Sequence, residues 1–449
     1  MRTVRFLALM VIFGYSLARA DVVLVPDFRV DQDPIPNSIA GVASSLTYGY
    51  FVVFYRYSTP PTYEGDLYAR RFDLDGNPLA DAFRVDSAPE TAQTGGAGVI
   101  IDSNGNMVFG WTDDRTGASH VYFRRFDASE NPLNSDTMAD QGSGANGGRI
   151  ATLPAGGFVI TYRSGGLIYA RIYDSTGTPI GNEFRVDQSG GDLGTPFVNT
   201  DPSGQIYFAW TFGNPGTAVY ARLFDSSGNP LLDEFQVDQS PNMVVLSTIA
   251  AAPNGNFIVA WDDYREEGDF GMSDVFARAF DLTGTPFGDD FKVNSESTGE
   301  NAAVANSVFA PSGRALFVWN DSRDGGAHYI RHIDSNGTIL DNDSRLHSGV
   351  LGGYTATAAV GFNSFVTAWG DSRSGSNEVW ANITGPAKPL VPTLPEVGMV
   401  VLFISLLAAI VLVISRRRSV YRQSFPVRGI CRQCGDSKAR KILQNERER

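Results

Sequence analysis

Seven times between residues 51 and 384 the chain runs through the same order of short segments, and a repeat of this kind limits the possible folds more than any single motif. The first recurring segment is an apolar run ending in an aromatic residue: Phe51 to Tyr55, Met107 to Trp111, Phe158 to Tyr162, Ile206 to Trp210, Phe257 to Trp261, Ala315 to Trp319 and Phe365 to Trp369. Successive copies start 56, 51, 48, 51, 58 and 50 residues apart. The second segment follows the pattern Tyr-x-Arg-x-Phe-Asp, from Tyr68 to Asp73 in the first copy through Tyr329 to Asp334 in the sixth, with a degenerate seventh at Trp380 to Thr384. After most copies the chain turns through Gly-x-Pro, as at Gly76 to Pro78, and enters a third segment such as Phe83-Arg84-Val85-Asp86.

Each unit reads as four short strands, here called a to d. Strand a is the stretch before an Asn-Gly or Ser-Gly turn, strand b the apolar run, strand c the Tyr-x-Arg segment and strand d the Phe-Arg-Val-Asp segment. Strand b is apolar on both faces, which suits a sheet covered on both sides. Four-stranded sheets stacked around an axis give that cover, so the spacing predicts an all-β, seven-bladed β-propeller over residues 21–385. A parallel β-helix fits four antiparallel-type strands per unit less well. The pattern opens on a lone strand d, Phe28 to Asp31, and its last unit stops after strand c. An N-terminal strand completing the last blade would close the ring and hide its edges, so Val22 to Asp31 is expected beside Glu378 to Thr384.

Composition agrees: Gly (48) and Pro (23) are abundant, and the apolar content of 43% suffices for a core. The net charge of −13 argues against a nucleic-acid partner, which demands clustered Lys and Arg. That charge is unevenly spread, at +3 for residues 1–20, −24 for 21–415 and +8 for 416–449. Residues 1–20, with Arg2 and Arg5, an apolar run and Ala18-Arg19-Ala20, predict a signal peptide and hence signal peptidase as a partner. Val397 to Ser415 is uncharged and about 28 Å long as a helix, enough to span a membrane. Arg416, Arg417 and Arg418 place residues 416–449 as a basic cytoplasmic tail. The body is thus expected outside the cytoplasm, on a single-pass anchor. Pro386, Pro389, Pro392 and Pro395 recur every third residue, the period of polyproline II, and make 386–396 a spacer. The two cysteines, Cys431 and Cys434, both lie in the tail, with no His or further Cys there to complete a zinc site, and read as free thiols.

Four b-to-c loops carry Trp-x-Asp-x-Arg: Trp111/Asp113/Arg115, Trp261/Asp263/Arg265, Trp319/Asp321/Arg323 and Trp369/Asp371/Arg373. An active site normally occurs once per fold, so a motif recurring at equivalent places is read as architecture. The strand-c arginines Arg70, Arg124, Arg171, Arg222, Arg278 and Arg331 are expected to pair with those Asp residues. Binding is sought where units differ. One candidate is the Tyr55, Tyr57 and Tyr63 cluster of the first b-to-c loop, suited to stacking on a sugar or peptide. The other is the acidic fifth loop, with Asp262, Asp263, Glu266, Glu267, Asp269 and Asp274. Such oxygens suit Ca²⁺, but the spacing departs from an EF-hand, and a solvated acidic loop is the plainer reading. His120, His328, His332 and His347 form no metal-binding spacing, and no nucleophile elbow or P-loop is present, so no catalytic residue is assigned. Carboxylate pairs for glycoside hydrolysis stay open, because acids are abundant.

At the C-terminal end, Val391-Pro392-Thr393-Leu394, Gly398, an apolar segment and Arg416 to Arg418 resemble the IPTL-CTERM sorting signal of Gram-negative bacteria. Val391 and Val397 stand where that family carries Ile and Trp. The resemblance implies recognition by an exosortase-type enzyme, removal of the tail and display at or release from the cell surface, with a permanent anchor as the alternative. The repeats resemble those of bacterial secreted propeller-like proteins. The function expected is a non-catalytic module for an extracellular protein or glycan, with a surface-polysaccharide hydrolase or sialidase-like enzyme, or a structural surface component, as alternatives.

Overall fold

The computed structural model describes residues 21–386, apart from short stretches at 33–36, 46, 58–64, 89–93, 143, 214–215, 266–271, 296–301, 324–325, 348–350, 374 and 376. The expected signal peptide, most of the spacer, the sorting motif, the membrane span and the tail lie outside the described residues. Among the described residues no helix is long and apolar enough to cross a membrane.

Seven four-stranded antiparallel sheets make up a seven-bladed β-propeller. In blade 1 strands a to d are Asn37–Ser45, Gly49–Tyr57, Gly65–Phe72 and Phe83–Arg84. Blade 7 is built from Leu351–Ala359, Phe365–Asp371 and Glu378–Pro386, and its fourth strand is the N-terminal Asp21–Arg29. Asp21 pairs with Pro386 and Arg29 with Trp380, the expected closure. Side chains pin this joint. Arg29 bridges Glu378 at 2.7 Å, Arg373 bridges Asp27 at 3.2 Å, and Asp21 reaches Arg314 in blade 6 at 2.7 Å.

The core is not one mass. Among the described residues the buried apolar side chains fall into seven clusters, one between each pair of neighbouring blades. Trp111, Trp210, Trp261, Trp319 and Trp369, all on strand b, are fully buried. Each large side chain so covered contributes about 1.5–3 kcal/mol, which is why strand b must be apolar on both faces.

One expectation is overturned. The strand-c arginines do not serve the b-to-c loop Asp residues; they bind backbone carbonyls. Arg70 donates through Nε to Ala80 O (3.2 Å) in its own blade and through a terminal nitrogen to Val30 O (2.9 Å) in the blade before. Arg124, Arg222, Arg278 and Arg331 repeat this double contact, reaching Val85, Val186, Val237 and Val293, and Arg171 reaches Ala139. Among the described residues, Arg124 alone of these six forms an ion pair, with Asp136 at 3.5 Å, and that residue precedes strand d. In the degenerate seventh unit Asn382 takes the arginine's place and still donates to Leu346 O (3.2 Å). The physical reason is depth. A side chain on strand c lies against the short, outermost strand d of its neighbour, whose carbonyls face it without a ladder partner.

In blades 1 to 6 an Asp at the end of strand c shapes the following turn. Asp127 accepts N–H bonds from Ser129 (2.8 Å) and Asn131 (2.9 Å), and side-chain bonds from Asn131 hold its carboxyl below the usual range. The turn needs a left-handed residue three positions on, supplied by Gly76, Gly177, Gly228, Gly284 and Gly337. Blade 2 uses Glu130 instead, at φ 67°. A left-handed L-residue costs about 1–2 kcal/mol, so Glu130→Gly is expected to raise stability by about 1 kcal/mol after its extra unfolded-state entropy is deducted. Denaturant unfolding of the two chains measures the difference.

Candidate ligand cavity

The four Trp-x-Asp-x-Arg loops fold into closed polar chains. In blade 2, Asp113 accepts from the Trp111 indole N–H (2.8 Å) and from Arg115, whose other terminal nitrogen reaches Asp136 at 2.7 Å. Asp136 also accepts the backbone N–H of Ser87 (2.9 Å) in blade 1. The same order recurs through Asp263, Arg265 and Asp290, through Asp321, Arg323 and Asp343, and through Asp371, Arg373 and Asp27. The motif Asp residues are buried. Burial opposes ionisation of Asp371, but hydrogen bonds from Arg373 and Trp369 overcome it and hold the carboxyl below its ordinary value. Desolvation likewise works against the Arg115 guanidinium, and Asp113 and Asp136 hold it protonated. These groups bind chiefly one another, leaving Asp136 Oδ1, Arg265 Nε and Arg323 Nε without hydrogen-bond partners. In blade 4, where Phe212 replaces the Asp, the Trp210 Nε1 has no hydrogen-bond partner.

Removing one member of a buried pair strands the other. Asp113→Ala is expected to cost about 3–5 kcal/mol, read as a lowered urea midpoint, because Arg115 and the Trp111 N–H lose their acceptor together.

The expected binding residues separate. Tyr55 is buried, and its hydroxyl accepts the Ala97 N–H at 2.6 Å; Tyr57 lies half-buried beside it, ring centroids 6.3 Å apart. Tyr63, Glu266, Glu267 and Asp269 lie outside the described residues. Asp263 belongs to the Trp261 and Arg265 chain, and Asp274 is buried against Lys292 at 2.9 Å. Among the described residues no group of three or more His, Cys, Asp or Glu is placed to hold a metal ion.

The histidines have structural partners. His120 pairs with Asp140 (2.8 Å), and His332 lies between Asp21 (2.9 Å) and Asp341 (2.6 Å). His347 occupies the strand-d position held by Asp86, Asp140, Asp187 and Asp238 in other blades, where that Asp accepts a strand-c N–H. In blade 6 its Nε2 instead meets His328 Nδ1 at 2.6 Å, and its ring stacks on Trp369 at 4.3 Å. Burial pushes His347 down to about 3, His328 adds to the shift, and Asp371, Arg373 and Arg345 are the other charges acting on it. The unfolded chain therefore takes up the proton first, so this group's stability contribution is complete above about pH 6.5 and falls as pH drops toward 3. His332 acts in the opposite sense. Burial lowers it, contacts to Asp21 and Asp341 outweigh that, and its contribution is lost as pH rises through the raised folded value. Giving blade 6 the residues of the other blades, His328→Val with His347→Asp, is expected to shrink the stability loss between pH 7 and pH 5, measured by urea unfolding at both.

Strand a from all seven blades lines the axis of the ring. On the face that carries the b-to-c loops, a cavity of about 760 Å³ lies within the roughly 300–1,000 Å³ of small-molecule sites. Its wall includes Tyr55, Arg149, Phe197, Asn199, Asp262 and Asn320. A second cavity, about 590 Å³ in volume, lies on the face of the a-to-b turns, and Asn199 borders both. Six of the seven strands a carry a register shift in their pairing, and bulges of this kind re-aim side chains at such rims. Arg149 pairs with Thr161 where five of the other blades place Gly98, Phe197, Thr248, Asn306 and Ala356. Arg149 escaped the sequence reading because strand a has no anchor residue. Its one signal was an arginine among small, aromatic and amide residues.

No family model and no curated protein matches the chain. Solved structures do. A polysaccharide lyase of family PL25, an ulvan lyase, aligns with TM-score 0.52 and 8% identity over 81% of this chain and 98% of its own. Polysaccharide lyase Uly1 aligns with TM-score 0.51 and 9% identity, over 82% and 100%. A Dyadobacter fermentans protein of unknown function aligns at 0.45 and 12%, over 68% and 97%. The class defined is the β-propeller, and at these identities the likeness extends to the fold.

Proposed function

We propose that the chain is an exported propeller, anchored at the membrane or sorted to the cell surface by its C-terminal signal, which binds a glycan or protein partner in the loop-face cavity without transforming it. The observation that carries this reading is the division among polar side chains. The acids and arginines that recur from blade to blade pair with one another in buried chains, whereas the polar residues of the cavity wall differ from blade to blade. A glycan is the leading occupant, since amides and aromatic rings share the wall. One of the similar structures is an ulvan lyase bound to -[GlcA(1-4)Rha3S]-. Residues 1–20 support export through signal peptidase, and Pro392, Thr393, Leu394, Gly398 and Arg416 to Arg418 support recognition by an exosortase-type enzyme.

Screening the full-length protein on glycan arrays and against chromogenic glycosides is expected to give binding without product. Turnover overturns the binding reading in favour of a hydrolase. Intact mass of the native protein is expected to lack Cys431 and Cys434, and their survival overturns tail removal.

A further inference from the structure

Arg149 differs in its surroundings from the repeated arginines. The motif arginines hold carboxylates and the strand-c arginines hold carbonyls of neighbouring blades. Among the described residues no carboxylate forms an ion pair with Arg149. It lies over the Phe197 ring at 5.1 Å, and its hydrogen bond is a long one, 3.4 Å, to the adjacent Gly148 O. A guanidinium desolvated in this way keeps most of its five donors for a guest. Tyr55, across the same cavity, accepts from Ala97 and keeps its own O–H to give, and burial pushes its pKa well up, so it remains a donor. The half-buried amides of Asn306 and Asn320 stand on the same wall. A wall that joins a guanidinium to amides suits a guest carrying hydroxyls beside an acid. The one carboxylate of the wall, Asp262 in blade 5, disfavours a guest charged at every position.

We propose that this cavity takes a carboxylate-bearing saccharide residue, a sugar acid, with its carboxylate on Arg149 and Tyr55 and its hydroxyls toward the half-buried amides of Asn306 and Asn320. The inference rests on the reading of the ring as a glycan-binding module and names the chemistry of its ligand. A planar guanidinium matches a carboxylate through paired bonds, which an amide or ammonium does not reproduce.

The test is calorimetric titration of the full-length protein in detergent with three probes: tri-galacturonate, its methyl ester and a neutral galactose trisaccharide. The acid is expected to bind about 10- to 100-fold more tightly than either neutral probe, the range of a charge-assisted bond. Arg149→Gln is expected to abolish that preference, and Arg149→Lys to retain part of it, each with an unchanged melting temperature. Equal affinity for all three probes, or a preference that survives Arg149→Gln, overturns the sugar-acid assignment and leaves a glycan-binding ring. Absence of binding by all three overturns the assignment; binding of other glycans on the array then preserves the broader reading, and an empty array ends both. If Arg149→Gln lowers the melting temperature, Arg149→Lys decides: full preference retained there means charge alone suffices and overturns the paired-bond geometry.

Discussion

The ring depends on one hydrogen-bonded joint, the pairing of Asp21–Arg29 with Glu378–Pro386. Each interblade slab of apolar side chains exists only while the blade on either side is in place, so an open ring would expose both faces of one slab and two strand edges together. The sequence concentrates extra contacts there. Arg29, Asp27 and Asp21 tie the closing strand to blades 7 and 6 through ion pairs, and Arg70 of blade 1 reaches back to Val30 O. Contacts between residues more than 340 positions apart make this the slowest part of the topology to assemble, since the closing strand leaves first and pairs last.

Around that joint, polar groups do two different jobs. The carbonyl-seeking arginines and the Asp–Arg–Asp chains act at blade boundaries, where each satisfied donor removes the penalty of a buried orphan. They are many and alike. The axial cavity has the opposite character. Its side chains differ from blade to blade, and several retain unused hydrogen-bonding capacity. Repetition supplies a rigid frame, and departure from repetition at strand a supplies chemical individuality.

How far this was legible in the sequence follows from which contacts leave a residue signature. The blade count and the closure were readable because strand b needs apolar side chains on both faces and strand d recurs as Phe-Arg-Val-Asp. The partners of Arg70 and its equivalents were not, because a backbone carbonyl is the same for every residue and marks no position in the chain. Trp-x-Asp-x-Arg suggested its internal pairing, yet the third member of each chain lies far from its arginine, 20 residues away for Asp343, 25 for Asp290 and 346 for Asp27. The cavity was the least visible, since the convergence of seven inner strands demands mainly smallness, as at Gly98 or Ala356, and smallness is a weak signal. Tyr55 was found as an aromatic near a loop, whereas Arg149, one residue past two glycines, gave no pattern to search for.

Both ends of the closing joint, Asp21 and Pro386, lie at the face of the c-to-d and a-to-b turns, opposite the mouth of the Arg149 cavity. Any tether that continues from Pro386 therefore pulls on the far side of the ring from a ligand held in that mouth. The pull runs along the length of Glu378–Pro386, which is clamped between Phe365–Asp371 and Asp21–Arg29. The hydrogen bonds on both flanks are then loaded together in shear instead of being peeled one after another.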